Sequence, residues 1–282
     1  MCRWLAYSGG PIALGKLILD AQHSLVDQSL ASRSSEQTTN GDGFGIGWYD
    51  DLEEPGLYRH TQPAWNDPNL HDLCRHTRSP LFLAHVRAAT STAIQQSNCH
   101  PFRYGKWLFV HNGLIEGFER VRRDMALALS PSLYPAIRGT TDSELMFLLA
   151  VHFGLERDVY EGVARMAGFV ESLCREKGIE QPLQMTLGIS DGVRIYAFRY
   201  SSVGRSRTLY CSESVAALRE VIPDEYRDRL DKYTEEARAV VSEPFHDLPN
   251  AWLPVPEASM VTVHGGRIEQ RDFSPLAPRA KP

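Results

Sequence analysis

Met1-Cys2-Arg3-Trp4-Leu5-Ala6-Tyr7 opens the chain, and the fold turns on how this stretch is read. Residues 3–7 read as a strand. A cysteine therefore stands directly before the first strand. The segment turns polar soon afterwards, so it lacks the long apolar core of a secretory signal and the upstream apolar segment of a lipoprotein signal. Outward from it, residues 11–30 hold helical stretches and 32–43 form a polar loop. After a glycine-punctuated turn, 44–49 read as a strand. Residues 81–86 and 107–111 are short apolar runs bounded by turn signals, which marks buried strands. Residues 66–69 read as a loop.

Helices come next at 116–129, 142–153 and 158–176. Thr141-Asp142-Ser143-Glu144 ahead of an apolar run has the capping-box pattern. Strands return at 184–189, 194–200, 208–211, 237–241 and 260–264, and Gly265-Gly266 turns the last of these into 267–271. Strands grouped towards the two ends, with helices between, predict an α+β fold of antiparallel sheets with helical layers. The regular βαβ alternation of a doubly wound parallel sheet is missing. One domain over 1–273 is expected, with a loose tail at 274–282 that is rich in proline.

The chain has 282 residues, 43% hydrophobic and 23% charged, which allows a sizeable core. A net charge of −5 lacks the basic footprint of nucleic-acid or anionic-membrane partners. Apolar runs are too short to span a bilayer. The cysteines number five and are scattered, with no Cys-x-x-Cys pair, which fits a reducing cytoplasm and not a disulfide scaffold. Cys174 and Cys211 read as small buried hydrophobes.

Removal of Met1 would leave Cys2 with a thiol and a free α-amine. That amine has an ordinary pKa of about 7.7–8.0, so it can take the thiol proton near neutral pH. The thiolate can then attack an amide carbon and form a thioester for water to hydrolyse. Taken alone, Cys2 also reads as a permissive second residue, and other residues have to carry the case. An oxyanion needs donors, and His111-Asn112-Gly113 ends a strand. A tight turn there would present the Asn112 amide beside the Gly113 N–H.

Arg87 directly follows the apolar strand 81–86, and its planar fork suits a substrate carboxylate, with the Thr90 hydroxyl close by. Asp142 suits an ammonium, although the helix dipole alone would also place an acid there. Asn40-Gly41-Asp42-Gly43-Phe44-Gly45-Ile46-Gly47-Trp48 precedes a strand, so it is not a dinucleotide loop. It reads as backbone passing close to a ligand or to the N-terminus, or as a plain turn and strand. His85, Cys99, His100 and His111 match none of the usual zinc spacings, so no metal is called for. Ser212-Glu213-Ser214 and Ser242-Glu243-Pro244 read as turns.

Met1-Cys2-Arg3, Asn40 to Gly45, His85-Val86-Arg87-Ala88-Ala89-Thr90, His111-Asn112-Gly113 and Thr141 to Glu144 occur in that order. The set resembles the class II glutamine amidotransferases, which are N-terminal-nucleophile hydrolases. The resemblance implies a four-layer αββα sandwich of two antiparallel sheets. It implies Cys2 as nucleophile, with Asn112 and the Gly113 N–H as oxyanion hole. Arg87 and Thr90 would hold a substrate α-carboxylate, and Asp142 its α-ammonium. Ser91 stands where amino-sugar-forming members carry histidine. No second, synthase domain fits in the chain.

The opening is similar to small stand-alone members that cleave γ-glutamyl amides in ergothioneine synthesis and glutathione degradation. The expectation is a cytoplasmic, cofactor-free amidohydrolase that releases glutamate. The leaving amine would be selected by loops such as 32–39 and 66–73. Two alternatives stay open: a glutaminase subunit serving a separate synthase chain, and a non-catalytic γ-glutamyl-binding regulator. A homodimer and a separate synthase partner both fit.

Overall fold

The computed structural model describes residues 2–33, 39–89, 92–222 and 224–277. In chain order the elements are β1 (Arg3–Ala13), α1 (Gly15–Ile18), α2 (Leu25–Leu30), β2 (Phe44–Trp48), β3 (Gly56–His60), α3 (Pro68–His76), β4 (Arg78–Val86), β5 (Phe102–Tyr104) and β6 (Trp107–Ile115). Next come α4 (Phe118–Ala128), α5 (Asp142–His152), α6 (Val159–Glu176), β7 (Leu183–Ser190), β8 (Ile195–Ser201), β9 (Tyr210–Ser212), α7 (Val215–Val221), β10 (Arg238–Val241), β11 (Trp252–Pro254), β12 (Ser259–His264) and β13 (Arg267–Asp272).

The strands form two sheets, ordered β11-β9-β10-β1-β4-β2-β3 and β13-β12-β8-β7-β6-β5. Every pairing in both is antiparallel. Strand side chains alternate between faces, and β1 uses both. Trp4 and Ala6 meet Leu83, Leu108, Val110 and Val261 between the sheets. Leu5 and Tyr7 face a second core with Leu17, Leu25 and Leu70 from α1, α2 and α3. On the other side of the molecule, β6 and β7 pack Phe109 and Met185 against Met125, Phe147 and Val163 from α4, α5 and α6. The architecture is the αββα sandwich. Burial on both faces explains why 81–86 reads as a continuous apolar run instead of an alternating one. Between the sheets Trp4 lies against Gly188 of β7, a position at which any side chain would collide with the indole.

Three local readings are corrected. Residues 66–69 are not a loop. Pro68 opens α3, and the Asp67 carboxylate caps it by accepting from the N–H groups of Asn69 and Leu70. Asn112-Gly113 is not a turn, because β6 runs on to Ile115 and pairs Asn112 with Thr186 and Gly113 with Met185. The chain turns at Gly117 instead, where φ is +64°. The capping box at Thr141 is half formed. Thr141 accepts from the Glu144 N–H, but the Glu144 carboxylate reaches back to the N–H groups of Arg138 and Gly139. Segment 274–282 is held at its start, where the Leu276 N–H donates to the Ala164 carbonyl against the close-fitting Gly168.

Candidate active site

Cys2 lies in the middle of one end of the larger sheet, because β1 has β4 on one side and β10 on the other. β4 is antiparallel to β1 with Arg3 opposite Val86, so the residues after β4 emerge beside the N-terminus. The Ala88 N–H donates to the Cys2 sulfur at 3.5 Å, and the thiol donates to the Ala88 carbonyl at 3.6 Å. Met1 lies outside the described residues.

The segment 87–89 is fixed by the glycine-dense stretch before β2. The Asp42 N–H donates to the Arg87 carbonyl, the Arg87 N–H to the Gly43 carbonyl, and the Ala89 N–H to the Asp42 carboxylate. Gly43 has φ +114° and no room for a side chain between Cys99 and the His60 carbonyl. The reading of 40–45 as backbone serving the N-terminal site is thus supported through Ala88.

Arg87 is 3% exposed. Its guanidinium donates to the Asp42 carbonyl at 3.3 Å, the Thr92 hydroxyl at 2.6 Å and the Ala93 carbonyl at 3.3 Å. No carboxylate faces it among the described residues, which leaves a buried cation held only by neutral groups. Such a charge costs several kcal/mol unless an anion meets it. Thr90 and Ser91 lie outside the described residues, and Thr92 is the hydroxyl seen on Arg87.

Asn112 and Gly113 lie on the smaller sheet. Asn112 is buried, and its side-chain amide makes no hydrogen bond to any other described residue. Gly113 is required by close approach, since a Cβ there would overlap the Gln184 carbonyl and the His111 ring. Gly113→Ala should therefore push β6 off β7 and cost about 3 kcal/mol, read as a lowered denaturant midpoint.

Asp142 is drawn to the same strand. One carboxylate oxygen accepts from the Ile115 N–H at 2.9 Å and the other from the Ser143 N–H at 2.7 Å. No cation pairs with it among the described residues. Ser143 also reaches the His111 Nδ1 at 2.8 Å. His85 joins the sheets through Nε2, 3.2 Å from the His111 carbonyl. Burial pushes the His85 imidazole down to about 3, so it is neutral at physiological pH. Its ring stacks on His100 at 4.2 Å, which makes the histidine cluster a packing feature. Among the described residues no group of three or more His, Cys, Asp or Glu is placed to hold a metal ion.

Two functional features escaped local reading. Ser242-Glu243 is more than a turn. The Trp4 N–H donates to the Ser242 hydroxyl at 3.1 Å, and Arg3 pairs with Glu243 at 2.9 Å while donating to the Cys2 carbonyl at 2.9 Å. His23, Ser32 and the Arg33 N–H converge on the same carboxylate. A charged residue two positions after the strand 237–241 was the available signal, weaker than the one that marked Arg87. Burial pushes the Glu243 carboxyl up, but the Arg33 N–H, His23 and Arg3 outweigh it and hold it at about 2.

Because this folded value lies below the ordinary 4.5, the stabilisation is complete above that pH and is lost as pH falls from about 5 towards 2. The span is worth ~3 kcal/mol. Urea midpoints measured between pH 6 and 3 should fall steeply for the parent protein and more shallowly for Glu243→Gln. Arg207, just before β9, is the second feature, a partly buried arginine acted on by Cys2.

The chain is similar to known proteins over most of its length. The family described as class-II glutamine amidotransferases matches residues 17–276. A probable glutamine amidotransferase of Saccharomyces cerevisiae, DUG3, is 31% identical over 93% of this chain and 82% of its own length. The γ-glutamyl-hercynylcysteine sulfoxide hydrolase of Mycolicibacterium smegmatis is 38% identical over 41% of this chain and 52% of its own. A solved glutamine aminotransferase class-II domain protein from Silicibacter pomeroyi superposes with a TM-score of 0.72 at 34% identity, covering 97% of this chain and all of that one. With its two-sheet sandwich and the cysteine at the end of the central strand, this chain belongs to the class-II glutamine amidotransferases.

Proposed function

We propose that the protein hydrolyses a γ-glutamyl amide through Cys2 and releases glutamate. The observation that carries this is the uncompensated, buried Arg87 one residue from the backbone that grips the Cys2 sulfur. Arg87, with Thr90, takes the substrate α-carboxylate, and Asp142 takes the α-ammonium. Both lack an opposite charge among the described residues, and a glutamyl group brings one to each. The Cys2 α-amine, freed by loss of Met1, accepts the thiol proton and the sulfur attacks the carbonyl carbon of the γ-amide. Asn112 and the Gly113 N–H hold the oxyanion. As the C–N bond breaks, the nitrogen takes the proton and departs as an amine. Water then cleaves the thioester, which yields glutamate and restores the thiol.

The relatives support this reading, since a γ-glutamyl compound is named in the hydrolase's own description. We also place 1–273 in one catalytic domain. A reducing cytoplasm suits five cysteines that all remain free. No helix among the described residues is long and apolar enough to cross a membrane. The test is a panel of glutamine, glutathione and γ-glutamyl amino acids read by free glutamate. Turnover of at least one γ-glutamyl conjugate above glutamine is expected. Binding of these compounds without glutamate release would indicate a regulator and overturn the reading.

A further inference from the structure

Arg207 occupies the side of Cys2 opposite Arg87. β10 is antiparallel to β1, with Leu5 opposite Val241, so its last residue leaves at the Cys2 end. β9 is antiparallel to β10, with Tyr210 opposite Val241, so the residues before β9 enter at that same end. The Thr208 hydroxyl fixes this entry by donating to the Ser242 carbonyl at 2.8 Å. Ser242 is in turn bonded to Trp4, both through its hydroxyl and through its own N–H, which donates to the Trp4 carbonyl at 3.0 Å. Along the sheet end the order is therefore Arg207, Ser242, Cys2, Arg87 and Asp42. Neighbouring strands lie roughly 5 Å apart, so Arg87 starts about one strand from Cys2 and Arg207 about two. An arginine side chain spans either distance.

The Arg207 guanidinium makes no hydrogen bond or ion pair with any other described residue, and its Nε is fully buried. The carboxylates nearby are engaged elsewhere. Glu243 holds Arg3 and His23, and Glu257 holds Ser206 and Arg199. Burial pulls the guanidinium down from its ordinary value, Cys2 opposes that and Arg3 adds to it. Arg207 also acts on His111, whose imidazole burial lowers and Asp142 raises. Its charge is thus felt at Cys2 on one sheet and at His111 on the other, in the space between the two halves of the site.

We propose that Arg207 is a specificity-determining residue that binds a carboxylate carried by the departing amine, so that the preferred substrates are γ-glutamyl amino acids or short γ-glutamyl peptides. The inference rests on the function proposed above. A γ-glutamyl amino acid carries one carboxylate on each side of the scissile amide, and the sheet end presents cation, nucleophile and cation in that order. Arg87 reads the glutamyl half, which every substrate shares. Arg207 reads what glutamine lacks. Leaving-group choice was expected from 32–39 and 66–73, yet much of the second stretch is α3, packed on the outer face of the sheet through Leu70.

The test compares γ-glutamylglycine with γ-glutamylmethylamide, which has the same amide and no second carboxylate. Glutamate release is measured with the full-length parent protein, Arg207→Gln and Arg207→Lys. In the parent protein kcat/KM should favour γ-glutamylglycine by roughly 10- to 100-fold, the usual range for a hydrogen bond to a charged group. Arg207→Gln should bring that ratio close to one, mainly by raising KM for γ-glutamylglycine, and Arg207→Lys should restore part of it. A parent ratio near one overturns the proposal. So does a ratio that survives in Arg207→Gln, or an equal fall on both compounds, which would place Arg207 behind the thiol. Failure of the parent protein to release glutamate from either compound would instead strike down hydrolysis itself, and this inference with it.

Discussion

Cys2→Ala should retain the fold and lose glutamate release from every γ-glutamyl compound by at least about 10³-fold, since removing the nucleophile of a catalytic unit removes most of its rate. The two outcomes are separable because the Cys2 side chain is only half-buried and, among the described residues, its sulfur hydrogen-bonds only with the Ala88 backbone. No core packing is lost with it, so thermal unfolding should match the parent within a degree or two. Protein that keeps Met1, identified by intact mass, should be equally inactive with its thiol still present, because the general base would be tied up in a peptide bond. Parent-like turnover in Cys2→Ala would end the covalent mechanism.

Arg87→Gln should lower kcat/KM by roughly 10²- to 10³-fold, most of it as a rise in KM. Truncating one partner of a buried charge pair typically costs 2–5 kcal/mol, and the partner proposed for Arg87 is the substrate α-carboxylate. Arg87→Lys should recover little. One ammonium cannot reach the Asp42 carbonyl, the Thr92 hydroxyl and the Ala93 carbonyl while presenting a flat fork to a carboxylate. Steady-state kinetics on a single γ-glutamyl substrate decides the matter. A fall in kcat at constant KM would assign Arg87 to the chemical step.

What could be read from sequence was whatever is written locally. The strands at 44–49 and 81–86 and the helix at 142–153 are apolar runs bounded by their own turn or cap residues, and each is present within a few residues of its expected bounds. Arg87 was legible because a cation after an apolar strand has few structural uses. Asn112-Gly113 misled because Asn-Gly is a turn pair in isolation. Only the approach of Gln184 from β7 makes Gly113 a strand residue. The loop reading of 66–69 failed because its polar residues are also those that cap a helix, and packing of Leu70 under β1 decided between the two. Glu243 and Arg207 were passed over because their meaning lies with Arg3 and Cys2, more than two hundred positions away, and no local pattern carries that distance.

The pairing of β1 with β10 also sets a clock on synthesis. The ribosome makes Glu243 240 residues after Arg3, yet Arg3, which grips the Cys2 carbonyl, is held by Glu243. At about 5–20 residues per second, Cys2 waits roughly 10–50 seconds for the strand that seats it. Met1 can be trimmed during that interval while the N-terminus is still open to an aminopeptidase. A nascent or truncated chain that ends before β10 carries the thiol without the clamp on Arg3, so the N-terminal end of β1 is fixed only after β10 has been made.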